Sequence, residues 1–315
     1  MRRSRWLAPW KDSLEKPAIY HCISRVVDRR FVLGDDEREQ FRKFMRMQEN
    51  FSGCRVLSYC LMSNHFHLLL EVPPMPKGGI SDELLLNRLA AIQSAAFVAG
   101  VAQELQHARQ AGNDTLASEI HARHTYRMHS LSEFMKTLLQ RFTRWFNRTH
   151  ERSGTLWEQR YKSVIVESGT AARTMAAYID LNPVRASIVK DPADYRWSSY
   201  GEAIGGGNKG NGKKAREGLV RACLSHHGAG FEAGKWQDAA KIYRQLLGLA
   251  LQRKSGHADL TAARHTLKAK VKGELNASRE RFSARRKDGA RRMKGSAAPA
   301  ANTLWTVRDL RMGIG

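Results

Sequence analysis

The sequence predicts an α+β protein built on a ferredoxin-like, split βαβ antiparallel sheet. Three observations predict this fold: short runs of β-branched and aromatic residues, amphipathic helical stretches between them, and the order β-α-β-β-α-β followed by another helix. The chain has 315 residues, 42% of them hydrophobic, which is enough for about two domains with a proper core. We place a first domain at 1–205, with a helical insertion at about 75–125, and a basic, partly helical and partly disordered extension at 206–315.

The first four elements follow from local composition. "AIYHCISRVV" (18–27) has the β-branched and aromatic content of a first strand. Residues 35–51 place their large apolar side chains on one side and acidic residues in the first turn, which indicates a helix. Residues 54–62 and 65–72 predict two strands joined by a tight turn at Ser63-Asn64.

The later elements are read in the same way. Residues 75–125 are rich in Ala, Leu and Gln and predict one or two helices inserted into the domain. An apolar stripe behind a serine cap predicts a helix at 130–150, and alternating Val and Ile predict a strand at 156–168. A short Ala-rich helix at 170–182 should end near Asn182, because Pro183 disfavours helical geometry in the residue before it.

The charge of the chain points to a polyanionic partner. The formal net charge is +23, and residues 201–315 hold 24 basic but only 9 acidic residues. Each Lys or Arg that contacts a phosphate releases condensed counterions, so such an excess favours nucleic acid. Within the extension, residues 281–294 contain seven basic residues and one acidic residue. An anionic membrane surface is the weaker alternative, because no stretch has the required amphipathic stripe.

Cysteine content and hydropathy limit the class of protein further. The four cysteines include no CxxC pair, which argues against a disulfide scaffold and against a cysteine-based zinc module. The basic N-terminus has no apolar stretch behind it, and no run of about 18 apolar residues is present. The sequence therefore predicts a cytoplasmic protein without a membrane partner.

The stretch "LMSNHFHLLLEVP" (61–73) carries the first functional signal. A strand alternates its faces with period two, so His65 and His67 share one side. Two imidazoles on one face of a strand make half of a metal site, and the alternative is a pair of buried histidines with hydrogen-bond partners.

A second signal lies at the end of the Ala-rich helix. Tyr178 shares a helix face with Asn182, four residues later. Imidazoles together with a side-chain amide oxygen form a site suited to Mg²⁺ or Mn²⁺ bound to phosphate. A tyrosine phenol attacks a phosphodiester when a metal polarises the phosphate.

Four segments together carry a family resemblance: "YHCISRVVDRRFVL", "LMSNHFHLLLEVP", "RYKSVIVES" and "YIDLNPVRASIVKDPADYRWSSY". In this order they resemble the REP-associated tyrosine transposases, within the single-tyrosine HUH transposase superfamily. The resemblance runs from about Tyr20 to Tyr200 and is interrupted at 75–125. The His-apolar-His pattern alone is weak, whereas four motifs in family order are specific.

The resemblance implies an activity and a set of site residues. It implies that His65 and His67 hold a divalent metal, Mg²⁺ or Mn²⁺, and that Tyr178 cuts single-stranded or hairpin-forming DNA. The products would be a 5′-phosphotyrosine link and a free 3′-OH. Relatives often use Gln as third ligand one turn after the tyrosine, and here Asn182 takes that place with a shorter side chain.

Several residues near these motifs have competing interpretations. Tyr161 and Tyr195 lack a ligand-type residue at helical spacing, so core or stacking roles are favoured for both. Arg160, Lys162 and Arg185 are phosphate contacts or a solvated face. Trp157 stacks on a base or lies in the core, and His226-His227 is interpreted as surface.

The sequence thus predicts a metal-dependent, single-tyrosine enzyme that cleaves and rejoins single-stranded DNA with repetitive palindromic hairpins. A non-catalytic nucleic-acid-binding regulator on the same scaffold is the alternative, and a phosphodiesterase that uses water is a third. Each has a distinct mark: binding without cutting for the regulator, and cutting without a protein-linked intermediate for the phosphodiesterase. The sequence leaves open whether the protein is a monomer or a homodimer.

Overall fold

The computed structural model of the chain describes residues 7–167, 169–206, 210–224 and 235–255. His226-His227 and the basic run 281–294 lie outside the described residues. Four strands form one antiparallel sheet in the order β2-β3-β1-β4: β1 Ala18–Arg25, β2 Arg55–Leu61, β3 His65–Val72 and β4 Lys162–Val166. This is the strand order of a split βαβ sheet, so the predicted α+β fold class is confirmed.

Helices connect and extend the sheet. Those within the described ranges are α1 Asp35–Ser52, α2 Asp82–Ala90, α3 Ala95–Gln110, α4 Asp114–Thr125, α5 Leu131–Thr149, α6 Thr170–Asp180, α7 Asn182–Arg185, α8 Ser199–Gly205, α9 Gly210–Leu224 and α10 Lys235–Ser255. The Ser130 hydroxyl accepts from the Glu133 backbone N–H and caps α5, as the sequence predicts. In the described part of the chain, no helix combines the length and the hydropathy needed to cross a bilayer.

Three of the predicted elements differ from the structure. The insertion contains three helices, α2 to α4, rather than one or two, and their apolar side chains share a small core with Phe51 of α1. The predicted strand at 156–168 is shortened to β4, because Trp157 forms an isolated bridge to Val26 and the chain then bends. The predicted helix at 170–182 ends at Asp180, and Pro183 stands in the first turn of the short helix α7.

The two faces of the sheet carry different side chains. Phe66 of β3 lies on the face covered by α1 and α5, where its ring packs against Phe41 at 4.7 Å between centroids. We call this the aromatic face, and it also receives Phe142 of α5 and Trp157. His65 and His67 flank Phe66 in β3, and successive side chains of a strand point to opposite faces. His65 and His67 therefore lie on the other face, which we call the histidine face.

The last two described helices belong to the same core. α9 crosses the backbone of β2 so closely that a Cβ on Gly218 would lie 2.3 Å from the Val56 carbonyl oxygen. Tyr243 of α10 is fully buried, and its hydroxyl donates to Asp180 Oδ2 at 2.6 Å. The domain boundary predicted at residue 205 stays a prediction, but the described residues beyond it pack on β2 and on α6.

Candidate active site

Three histidines, rather than two, meet on the histidine face. The rings of His65 and His67 on β3 lie 5.1 Å apart between centroids, and His21 of β1 stacks on His67 at 5.2 Å. His21 and His67 are buried, whereas His65 is half-buried. The antiparallel register brings the three rings together, because β1 and β3 are neighbouring strands. His67 pairs with Ile23, and His21 lies two residues from Ile23 on the same face of β1.

Hydrogen bonds fix the tautomer of His65. The Asn64 amide nitrogen donates to the Arg29 carbonyl at 3.0 Å, so the Asn64 amide oxygen faces the imidazole. That oxygen accepts from His65 Nδ1 at 2.7 Å. A neutral imidazole that donates through Nδ1 keeps its lone pair on Nε2, the form that binds a metal.

His67 is held in a comparable way by a second histidine. His21 Nε2 and His67 Nδ1 share a hydrogen bond of 3.0 Å. Burial lowers the pKa of His21 to about 3, and burial followed by the charge of Arg25 lowers the pKa of His65 to about 4. Burial, then His21 and His65, lower the pKa of His67 well below its ordinary value. All three imidazoles are therefore neutral near pH 7, which is the protonation state of a ligand.

Tyr178 of α6 lies directly over this cluster. Its ring meets His67 edge-on at 6.0 Å and His21 at 6.2 Å between centroids, and the side chain is half-buried. Arg185 of α7 lies over the Tyr178 ring at 4.6 Å and donates to the Tyr178 carbonyl at 3.3 Å. The tyrosine is thus placed between the histidine face and a guanidinium group.

Asn182 closes the end of α6. Its amide nitrogen donates to the carbonyls of Tyr178 at 3.0 Å and Ile179 at 3.1 Å. Both carbonyls lie in the last turn of α6, which ends at Asp180, where the regular backbone hydrogen bonds of the helix stop. The amide oxygen is not used in these bonds, and the role of Asn182 as a metal ligand stays a prediction.

The predicted DNA contacts occupy different environments. Arg160 is exposed in the bend before β4, and Lys162 is exposed at the first position of β4. Lys162 pairs with Ile23, which pairs with His67 on its other side, so Lys162 and His67 share the histidine face. Arg185, in contrast, packs on Tyr178.

The alternative tyrosines and Trp157 are structural. Tyr161 is 7% exposed and donates to the Leu131 carbonyl at 3.5 Å. Tyr195 is 6% exposed and donates to the Leu61 carbonyl at 2.6 Å, and burial raises its pKa. Trp157 packs among the rings of the aromatic face, so its core interpretation holds. Of these aromatic side chains, Tyr178 is the one that faces the histidines.

The donor set fits a divalent ion in part. Among the described residues, no group of three His, Cys, Asp or Glu side chains is placed to hold a metal ion. His65 and His67 use Nδ1 for their hydrogen bonds within the described residues, so each would bind a metal through Nε2 and leave the remaining positions to an amide oxygen, water or phosphate. This set resembles the sites of ions that keep several waters and bind phosphate.

His21 and Arg25 are the residues that sequence reasoning missed. Both stand in the first strand, where His21, Ile23 and Arg25 alternate with Tyr20, Cys22 and Ser24. Arg25 is exposed and pairs with His65 across the two strands. The alternation places His21 and Arg25 on one face, and combined with the pairing of β1 to β3 it would have identified both.

The fold and site together define an α+β protein whose antiparallel sheet carries an imidazole pair beneath a tyrosine-bearing helix. Residues 16–97 match the model of the family described as "Transposase IS200 like". The match covers β1, α1, β2 and β3 with both predicted ligand histidines, and it confirms the resemblance read from the sequence. Tyr178 and Asn182 lie beyond the matched residues.

Among solved structures, the chain is similar to a REP-associated tyrosine transposase bound to a REP hairpin. The identity is 12% and the TM-score 0.41, over 67% of this chain and 90% of that chain. A comparison with curated proteins finds no match.

Proposed function

We propose that this protein is a transposase that cleaves and rejoins single-stranded, hairpin-forming DNA through a 5′-phosphotyrosine intermediate. The observation that carries the proposal is the contact of the half-buried Tyr178 ring with His67, on the sheet face that also presents His65. The match of residues 16–97 to the IS200-like transposases supports the transposase activity. The tyrosine mechanism is our inference from the site.

Each step of the reaction is a phosphodiester exchange. The Tyr178 phenol oxygen attacks the phosphorus, the bond from phosphorus to the 3′ oxygen breaks, and the phenol proton ends on the released 3′-OH. Rejoining is the reverse attack by a 3′-OH, with the phenol as leaving group. Each step breaks one phosphoester bond and forms one, and cleavage followed by rejoining restores the original kind of ester, so no external energy source is needed.

The residues of the chain bind and orient the reactants. His65, His67 and the Asn182 amide oxygen would hold Mg²⁺ or Mn²⁺, which supplies polarisation of the phosphate and stabilisation of developing charge. Arg185 holds the phenol ring in place through its stacked guanidinium group. Lys162 and Arg160 are exposed beside the site and would contact the DNA backbone.

The alternative function, a non-catalytic regulator, predicts a different burial of the site residues. A binding protein that reuses the scaffold would bury Tyr178 and the histidines as core, yet Tyr178 and His65 are half-buried. Burial of His21 and His67 is compatible with both functions.

The test is a covalent protein–DNA species. The full chain is incubated with Mn²⁺ and a single-stranded oligonucleotide that carries an inverted repeat from beside its gene, and the products are separated on a denaturing gel. We expect an adduct that Tyr178→Phe eliminates while hairpin binding is retained. Tyr126→Phe is the matched control, because Tyr126 is 67% exposed on the insertion.

Chelation and His67→Ala should both abolish the adduct and retain much of the affinity for DNA, which the basic surface supplies. Cutting without an adduct would identify a water-using phosphodiesterase, and binding without cutting would identify the regulator. An adduct that persists in Tyr178→Phe would assign the nucleophile to another residue.

A further inference from the structure

A basic groove lies between α1 and α5, on the outer side of the helix pair that covers the aromatic face. Its volume is about 500 Å³, and its walls include Phe44, Trp145 and four arginines, Arg127, Arg141, Arg144 and Arg148. We call it the arginine groove. The candidate active site uses none of these residues, and it lies on the opposite face of the sheet.

No carboxylate of the described residues compensates the positive charge of the groove. Within the described residues, none of its four guanidinium groups lies within ion-pair distance of a carboxylate. Arg127 donates to the Thr137 hydroxyl at 3.1 Å and Arg141 to the Ile92 carbonyl at 3.1 Å, both neutral acceptors. Burial and the nearby charge of Arg127 lower the pKa of Arg141. By contrast, Arg42 and Arg46 on another side of α1 both pair with Glu202.

The spacing of the arginines suits a phosphate backbone. Arg141, Arg144 and Arg148 follow one side of α5 at i, i+3 and i+7, which corresponds to about 10 Å along the helix axis. A nucleic-acid strand carries one negative charge per nucleotide, so a row of this length can contact more than one phosphate. Arg144 and Arg148 are exposed and free to reach them.

The groove also offers an aromatic surface. Trp145 is half-buried, and its ring packs on Phe142 at 5.6 Å between centroids on the inner side. Phe44 lies across the groove on α1, with Arg141 over its ring at 5.8 Å. Aromatic side chains between cations form the stacking platforms that bind unpaired bases without regard to sequence. A duplex keeps its bases stacked inside and would not use this surface.

We infer that the arginine groove is a second binding site for single-stranded DNA, separate from the candidate active site. Arg144 and Arg148 contact consecutive backbone phosphates, and Trp145 stacks on an unpaired base. The identity of the ligand rests on the proposed function, because the charge and the aromatic ring specify a single-stranded nucleic acid and the function specifies DNA. The groove gives the substrate a holding point on the face away from Tyr178.

The experiment measures binding of the full chain to fluorescent (dT)20 by anisotropy, in EDTA and over a range of salt concentrations. Arg144→Gln with Arg148→Gln should lower affinity and flatten the slope of log K against log salt by about 1.4, at roughly 0.7 per lost phosphate contact. Lys213→Gln with Lys214→Gln is the matched control, because it removes equal charge from exposed positions on α9. An unchanged slope in the arginine variant, or an equal change in the control, overturns the site.

The stacking step has its own measurement. Trp145→Leu should weaken binding of (dT)20 by roughly tenfold and leave binding of a 20-base-pair duplex unchanged. Equal losses for both ligands would show that the occupant is not a single strand. Circular dichroism melting of each variant, compared with the unmutated chain, separates loss of binding from loss of folding.

Adduct formation and (dT)20 binding together distinguish an error in the groove proposal from an error in the proposed function. At saturating oligonucleotide, the arginine variant should form the Tyr178 adduct as the unmutated chain does, because the groove holds DNA and does not react with it. Adduct formation with unchanged (dT)20 binding in the arginine variant would overturn the groove alone. Altered (dT)20 binding in a chain that never forms an adduct would overturn the enzyme and retain the groove.

Discussion

Each histidine of the site has one ring nitrogen occupied by a protein partner. His65 donates to Asn64, and His67 is bonded to His21, which leaves one nitrogen on each of the β3 histidines for a ligand. The pair His65 and His67 was predictable from the sequence, because two histidines at i and i+2 stand out in an apolar strand. His21 was not, because a lone histidine between Tyr20 and Cys22 gives no such signal until the strand pairing is known.

His21→Leu should weaken the metal site without removing a ligand. The substitution deprives His67 Nδ1 of its hydrogen-bond partner, so the orientation of the ring is no longer held, and loss of such a partner typically costs 10- to 100-fold in metal affinity. Titration of Mn²⁺, followed by calorimetry or electron paramagnetic resonance, measures this loss. His21→Gln should restore part of the affinity, because its amide can again bond His67.

The control for this prediction is His107→Gln, which changes an exposed histidine of α3. The affinity for Mn²⁺ should stay at the unmutated value. If His21→Leu bound Mn²⁺ as tightly as the control, the hydrogen bond between His21 and His67 would be unrelated to the metal site.

At the scale of elements, the close approach of α9 to β2 determines which residues are tolerated between them. Gly218 is the contact point, and a side chain there would meet the carbonyls of Val56 and Leu57. The helix must therefore move away from the strand, or the strand must bend, if a methyl group is added. Overpacking of this kind costs about 1–3 kcal/mol.

Gly218→Ala should lower the free energy of unfolding by about that amount, as measured by urea denaturation. Gly100→Ala is the matched control, since Gly100 lies within α3 and a Cβ there would meet nothing within 4 Å. That change should stabilise the protein by up to about 1 kcal/mol, because alanine favours the helix. Equal effects of the two substitutions would contradict the tight packing of α9.

The elements also show which features the sequence could predict. Strands β1 to β3 and helices α1 and α5 were predicted to within about two residues, because the strands are apolar runs that end at turn residues and the helices place their large apolar side chains on one side. The break between α6 and α7 was not, since Asn182 satisfies the last carbonyls of α6 through its side chain. The arginine groove was also missed, because Arg141, Arg144 and Arg148 look like the solvated side of an amphipathic helix until α1 is placed beside them.

For the whole molecule, the C-terminal extension combines the two described helices, α9 and α10, with a basic sequence beyond residue 255. α9 and α10 supply buried side chains to the main core, including Leu219 and Tyr243. The remaining charge lies in the sequence from residue 256 onward, with seven basic residues in 281–294 alone. The two portions should therefore affect stability and DNA binding separately.

A chain that ends after residue 255 should keep its melting temperature and form the Tyr178 adduct on a short oligonucleotide. A plot of its log DNA-binding constant against log salt concentration should have a shallower slope than for the full chain, because fewer phosphates are contacted. A chain that ends after residue 205 should melt at a clearly lower temperature, since the buried partners of β2 and α6 are gone. Circular dichroism melting and anisotropy measure both effects. An unchanged salt slope in the first chain would show that the basic run does not touch DNA.

The hydrogen bond from Tyr243 to Asp180 has a consequence for synthesis of the protein on the ribosome. Asp180 stands two residues after Tyr178, and its partner is encoded 63 residues later. At about 5–20 residues per second, translation of that interval takes roughly 3 to 13 seconds. From residue 185 onward the nascent chain contains every predicted site residue but not Tyr243. The buried hydrogen bond between Tyr243 and Asp180 therefore forms late, seconds after the sheet and its histidines have been synthesised.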